Sequence, residues 1–181
     1  SKIFKQFRLV GVCDTNKKKA ITFGKKFKIK NFNNIDTLLE STKANLAVIC
    51  TSSGNHYLNA LTVSKYKIDL VIEKPISLNL LDANKIVRIF NNDNKKLFVV
   101  MQNRLNPLIK YLKEAILKNI LGKITSISIK VWWSRDQKYY DEAAWRGTWE
   151  ADGGIFMNQA IHHLDMMTWL MGPVKSVSAV I

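Results

Sequence analysis

LAVICTSSGNHYLNALTVSKYKIDLVIEKP, residues 46–75, decides the fold. Two apolar runs, LAVICT (46–51) and DLVIEK (69–74), bracket a stretch that reads as a helix over 55–66. The runs are nearly continuous rather than alternating, which marks strands buried on both faces in a parallel sheet covered by helices. Strand, helix and strand in about 30 residues make one right-handed crossover unit.

Working outward, the same grammar repeats. RLVGVC (8–13) reads as an earlier strand and LFVVMQ (97–102) as a later one. Helices are expected over 16–28, around 35–42 and over 79–91; in the first, Ala20, Phe23, Gly24 and Phe27 share one stripe with lysines opposite. Strands alternating with helices specify an α/β class and a doubly wound parallel sheet. After Asn103 the pattern changes. Pro107 opens a helix over about 107–118, and ITSISIKVWW (124–133) alternates as a half-solvated strand. A polar and aromatic loop over 134–152 leads to a helix over 154–171, closed by Gly172-Pro173, and a last alternating strand over 174–181. The boundary falls near residue 104, giving a first domain over 1–104 and the start of a second over 105–181.

Composition excludes several classes. The net charge of +14 invites nucleic-acid binding, but 23 Lys stand against five Arg, and bidentate readout of phosphates and bases favours Arg. The excess is also unevenly placed, since residues 134–165 are net −3 and the rest +17. No nucleic-acid partner is expected. No apolar run is long enough to span a bilayer, and SKIFKQFRLVGV lacks a secretion signal, so the reading is cytoplasmic with no membrane partner. Cys13 and Cys50 have no metal-ligand spacing and read as reduced, buried small hydrophobes.

Chemistry collects at the strand ends. Asp14 follows the strand over 8–13, where an acid can accept from ribose hydroxyls and repel a 2′-phosphate, or simply cap a helix. Thr51, Ser52, Ser53, Gly54 and His56 follow the strand over 46–51, suiting close approach of a cofactor or ordinary capping. Glu73, Lys74 and Pro75 follow the strand over 69–74, where Lys74 either faces the carboxyl-end crevice and moves protons or lies on the surface. Asn158, His162 and Asp165, spaced i, i+4, i+7, share a helix face among apolar neighbours. That face suits a proton-transfer pocket; a structural histidine and a metal site are the competing readings, the latter short of ligands. Trp145, Arg146 and Trp149 suit sugar stacking and anion binding, or anchor a long loop.

Taken in order, Cys13-Asp14, Thr51…His56, Glu73-Lys74-Pro75, Asn103-Arg104…Pro107 and Gly153-Gly154…Asn158…His162…Asp165 resemble the glucose–fructose oxidoreductase/inositol dehydrogenase (Gfo/Idh/MocA) family of sugar dehydrogenases. The resemblance implies an N-terminal Rossmann domain and a C-terminal α/β domain with an open, mostly antiparallel sheet. It implies NAD, with NADP as the alternative, a sugar or sugar-nucleotide substrate, and a homo-oligomer when intact. It makes Lys74 and His162 catalytic. Asp14, Thr51, Ser52, His56, Glu73, Lys74, Pro75 and Asn103 would bind cofactor, and Asn158, Asp165, Arg146, Trp149 and Arg104 substrate, with no metal.

Three departures accompany the resemblance. No G-x-G-x-x-G turn is present, so the chain is expected to be a fragment lacking the central first strand and its phosphate-binding loop. Asn158 stands where many members carry Asp; Met157-Asn158-Gln159 resembles members acting on sugar nucleotides or uronate-type sugars. Only the beginning of the second domain's sheet is expected. The alternative function is a non-catalytic Rossmann-type ligand-binding or regulatory subunit.

Overall fold

The computed structural model describes residues 6–180. Parallel strands and helices alternate as β1 (Gly11–Cys13), α1 (Lys17–Phe27), β2 (Lys30–Phe32), α2 (Ile35–Thr42), β3 (Leu46–Ile49), α3 (His56–Ser64), β4 (Asp69–Ile72), α4 (Leu80–Asn92) and β5 (Leu97–Val99). The α/β class and the parallel pairing are as expected. The strands form two sheets rather than one, β1-β2 and β3-β4-β5, and among the described residues no ladder joins them. Strand β2 was not expected: KNF is three residues long and mostly exposed, so it carries no apolar run to read.

Leu70 and Ile72 of β4 and Ile49 of β3 are buried against Ala60 and Val63 of α3 and Ile86 and Phe90 of α4. Alternate residues point to the other face, and register aligns Val48, Val71 and Phe98 there in one row. Val48 is 61% exposed and Phe98 52%, so burial on both faces is a correction: one face is packed and, among the described residues, the other stands open. A continuous apolar run reports that both faces are suited to burial, not that both are covered.

Asparagine supplies the helix starts. The side chains of Asn16, Asn34, Asn79 and Asn106 accept backbone N–H groups in the first turns of α1, α2, α4 and the helix α5 (Pro107–Leu117), satisfying donors that have no partner within the helix. Pro107 takes the first helical position of α5, where its missing N–H costs nothing.

Beyond α5 come α6 (Gln137–Asp141), α7 (Trp149–Asp152), a π-helical turn Phe156–Ala160 and α8 (Ile161–Met171). The expected loop over 134–152 thus holds two short helices, and the expected helix over 154–171 begins as a wider π turn. The expected strands at 124–133 and 174–181 are corrected as well. Both segments carry no ladder among the described residues, although Ile124–Ile127 and Gly172–Val174 line one shallow hollow; Ile181 lies outside the described residues. Alternation fixes which side chains share a face, but a strand also needs a hydrogen-bonded neighbour.

No helix among the described residues is long and apolar enough to cross a membrane. Cys13 and Cys50 are both free, and Cys50 is exposed rather than buried.

Phe90 is 2% exposed at the centre of the packed face. Phe90→Ala is expected to lower unfolding free energy by about 3–5 kcal/mol. Urea denaturation checks it; a loss below about 1 kcal/mol would mean that α4 is not part of the cooperative core.

Candidate functional site

All strand C-termini of β3, β4 and β5 point the same way, so the segments following them meet at one edge of the sheet. After β3, Thr51 Oγ1 accepts from Asn59 Nδ2 at 3.0 Å and Ser52 Oγ from Asn55 Nδ2 at 2.8 Å. A methyl group built on Gly54 would lie 3.0 Å from Ala151 Cα, so the loop closes directly on α7. His56, expected to line the cofactor cleft, is 1% exposed. Its Nδ1 lies 2.6 Å from Pro75 O and its Nε2 3.0 Å from Thr51 O. The ring therefore ties the loop after β3 to the loop after β4, and a neutral imidazole can donate to one of these carbonyls at a time.

After β4 the chain delivers Glu73 and Lys74, and the Lys74–Pro75 peptide is cis. The half-buried Lys74 Nζ donates to Asn158 O at 2.5 Å and to Asn158 Oδ1 at 2.9 Å. Burial pushes the Lys74 ammonium below its ordinary pKa, and the negative charges of Asp152 and Glu73 push back.

The acceptors for Lys74 come from the π-helical turn. In an α-helix Asn158 O would be committed to the residue four ahead; a π turn loosens that ladder, and such turns recur at functional sites. Asn158 Nδ2 donates to Asp152 Oδ1 and Gly147 N to Asp152 Oδ2 at 2.9 Å. Asp152 is 3% exposed and had no role assigned from the sequence. The signal available was an acid directly before Gly153-Gly154, where both glycines are left-handed at φ 78° and 73°. A methyl group on Gly154 would collide with the ring of Trp149, a largely exposed side chain.

His162 lies in the first turn of α8 and is buried, and its Nδ1 has no hydrogen-bond partner among the described residues. Its pKa is lowered by burial first, then by the positive charge of Lys74 and by His163, against smaller opposing effects from Asp165 and Glu73. The imidazole is thus held in its neutral, proton-accepting form near neutral pH. Lys74 Nζ thus bonds to Asn158, and its charge acts on His162, four residues further along the chain.

Other expected site residues are arranged differently. Asp165 and Arg104 engage each other bidentately, Nε to Oδ2 at 2.7 Å and Nη2 to Oδ1 at 2.5 Å, and Asp165 raises the Arg104 pKa further. Asn103 lies in the same 3₁₀ turn, Gln102–Leu105, as Arg104. Arg146 Nη1 donates to Tyr139 O and to Glu142 Oε2, and its guanidinium stacks on the Tyr139 ring, so it braces the loop. Asp14 is exposed at the end of β1, where Oδ1 accepts from Asn16 N at 2.8 Å. Among the described residues no group of three or more His, Cys, Asp or Glu could hold a metal ion.

Residues 1–101 match the family described as "Oxidoreductase family, NAD-binding Rossmann fold", and residues 109–181 match "GFO/IDH/MocA C-terminal domain". Oxidoreductase P35 of Formosa agariphila is 28% identical over 93% of this chain and 54% of its own length. The myo-inositol 2-dehydrogenase of Thermotoga maritima is 30% identical over 75% of this chain and 38% of its own. The WlbA dehydrogenase of Bordetella pertussis, solved with NADH and UDP-GlcNAcA, superposes with a TM-score of 0.88 at 37% identity, covering 92% of this chain and 48% of that one. The chain spans about half the length of the relatives it matches. The matches run through both parts of the sequence: the chain belongs to the GFO/IDH/MocA oxidoreductase family, with a NAD-binding Rossmann portion followed by that family's C-terminal domain.

Proposed function

We propose that the whole protein oxidises a secondary hydroxyl of a sugar or sugar nucleotide, with His162 receiving the hydroxyl proton and Lys74 binding the substrate oxygen. One observation carries this reading: a partly desolvated ammonium from the end of β4 and a buried imidazole from α8 come together at the carboxyl-end edge of a parallel sheet. A cationic donor stabilises the oxygen as it gains charge, and a neutral imidazole accepts its proton. When bound, the nicotinamide supplies the hydride acceptor.

The residues present suit NAD. Asp14 offers an exposed carboxylate at the end of β1, which suits ribose hydroxyls and opposes a 2′-phosphate. Thr51, Ser52 and Gly54 form a small-residue loop at the end of β3, and Glu73 and Asn103 follow β4 and β5. Asn158 cannot act as a base, because an amide does not take up a proton near neutral pH; it holds Lys74 instead. The ion-paired Arg104 keeps its remaining nitrogen edge for an anion, and Trp149 presents an exposed ring face to a sugar. A nucleotide-linked sugar acid is the substrate class this set favours. The WlbA dehydrogenase solved with NADH and UDP-GlcNAcA supports it, being 37% identical across this region. The homo-oligomer belongs to the same proposal.

In the whole protein, Lys74→Met and His162→Asn are each expected to lower kcat about 10²–10⁴-fold while leaving NADH affinity nearly unchanged. Steady-state rates on UDP-N-acetylglucosaminuronate and myo-inositol, beside NADH fluorescence titration, check this. NADH binding without turnover on either substrate would favour a non-catalytic ligand-binding subunit.

The pH dependence has a definite sign. His162 accepts a proton only when neutral, so the oxidation rate should fall as pH drops through its lowered pKa, with the acid limb below the ordinary 6.5. Removing the Lys74 charge should move the His162 midpoint upward, because that charge disfavours protonation. NMR titration of the His162 ring in Lys74→Met reads this without turnover; a downward or absent shift would separate the two groups.

A further inference from the structure

We propose that Asp152 is the positioning residue of the site: it fixes the orientation of the Asn158 amide, and through it the place of the Lys74 ammonium. This role rests on the dehydrogenase reading only for its catalytic consequence; the relay itself is a matter of geometry.

A side-chain amide has an accepting oxygen and a donating NH₂, and which end points where is decided by its neighbours. Asn158 stands between two groups of opposite character. A carboxylate can only accept, and Asp152 Oδ1 takes Asn158 Nδ2. An ammonium can only donate, and Lys74 Nζ meets Asn158 Oδ1 at 2.9 Å. The flipped amide would set oxygen against carboxylate and NH₂ against ammonium, so one orientation is selected. The carboxylate is itself held. Its second oxygen accepts from Gly147 N at 2.9 Å, and its own N–H donates to Thr148 O at 3.0 Å. The left-handed glycines at 153 and 154 then turn the chain from α7 into the π turn that carries Asn158. At 3% exposure Asp152 is out of reach of bulk water, so it touches Lys74 only through Asn158 and through its charge.

The chain of contacts is therefore carboxylate, amide, ammonium. Asp152→Asn keeps the shape but supplies both a donor and an acceptor, so either orientation of Asn158 becomes satisfied. It also removes a negative charge that favours protonated Lys74.

The test is the reactivity of Lys74 in the whole protein, read by trace acetic anhydride labelling across pH with mass-spectrometric quantification. Asp152→Asn is expected to raise Lys74 labelling at fixed pH about threefold or more and to move its midpoint down. Asn158→Leu should also give a rise, and the double variant less than the product of the two single effects, because only the charge of Asp152 acts on Lys74 independently of Asn158. Wild-type labelling in a folded Asp152→Asn protein, or additive effects in the double variant, would overturn the proposal. Should Asp152→Asn fail to fold, the unmodified protein still decides. The Asn158 side-chain NH₂ protons should be protected from exchange with solvent, and exchange as fast as that of an exposed asparagine would sink the idea. A labelling shift without nicotinamide turnover would remove the dehydrogenase reading and leave the relay standing.

Discussion

The ammonium of Lys74 is half out of water, and much of the site exists to make that tolerable. A buried cation left alone costs several kcal/mol, so it must be met by acceptors and compensating charge or give up its proton. Here it is met by the backbone and side chain of Asn158, with Asp152 and Glu73 near enough to oppose the loss of solvent. These contacts join parts of the chain 84 residues apart. The end of β4 and the turn before α8 are thus held by the same group that would do the chemistry. Arg104 and Asp165 repeat the pattern across 61 residues, tying the turn after β5 to α8 beside the imidazole of His162.

Division of labour follows from chemistry. Side chains that bridge separate stretches of backbone, such as His56 between two carbonyls and Arg146 between Tyr139 and Glu142, fix loops. His162 bridges no such stretches, and its buried Nδ1 is engaged by no described residue. Sequence position alone does not separate the two kinds, because both are polar residues at strand or helix ends.

That limit runs through what was legible. The strand–helix alternation and the places of β1, β3, β4 and β5 could be read from apolar runs, and the shared helix face of Asn158 and His162 from their spacing; the pairing of Lys74 with His162 came only as an implication of the family resemblance. Strand β2 could not, since Lys30-Asn31-Phe32 owes its existence to pairing with Gly11–Cys13 rather than to its own pattern. The alternating segments at 124–133 and 174–180 erred in the opposite direction, with good local pattern and no ladder. The capping of four helices by Asn16, Asn34, Asn79 and Asn106 was not read from the sequence either. Asp152 was passed over because its importance lies in which end of an amide it selects, and that is set by partners in space.

The π-helical turn at Phe156–Ala160 can also be seen as a matter of counting. Such a turn is an α-helical stretch carrying one residue more than its ladder needs. Deleting a single codon within it would let the helix close regularly through Ile155 into α8. Everything before the deletion would then rotate by about 100° against His162, and the carbonyl of Asn158 would return to the ladder. Lys74 would lose both its acceptors without any change in its own identity. A bond between distant parts of the fold thus hangs on a local surplus of one residue, so gaps here would matter more to a descendant sequence than substitutions.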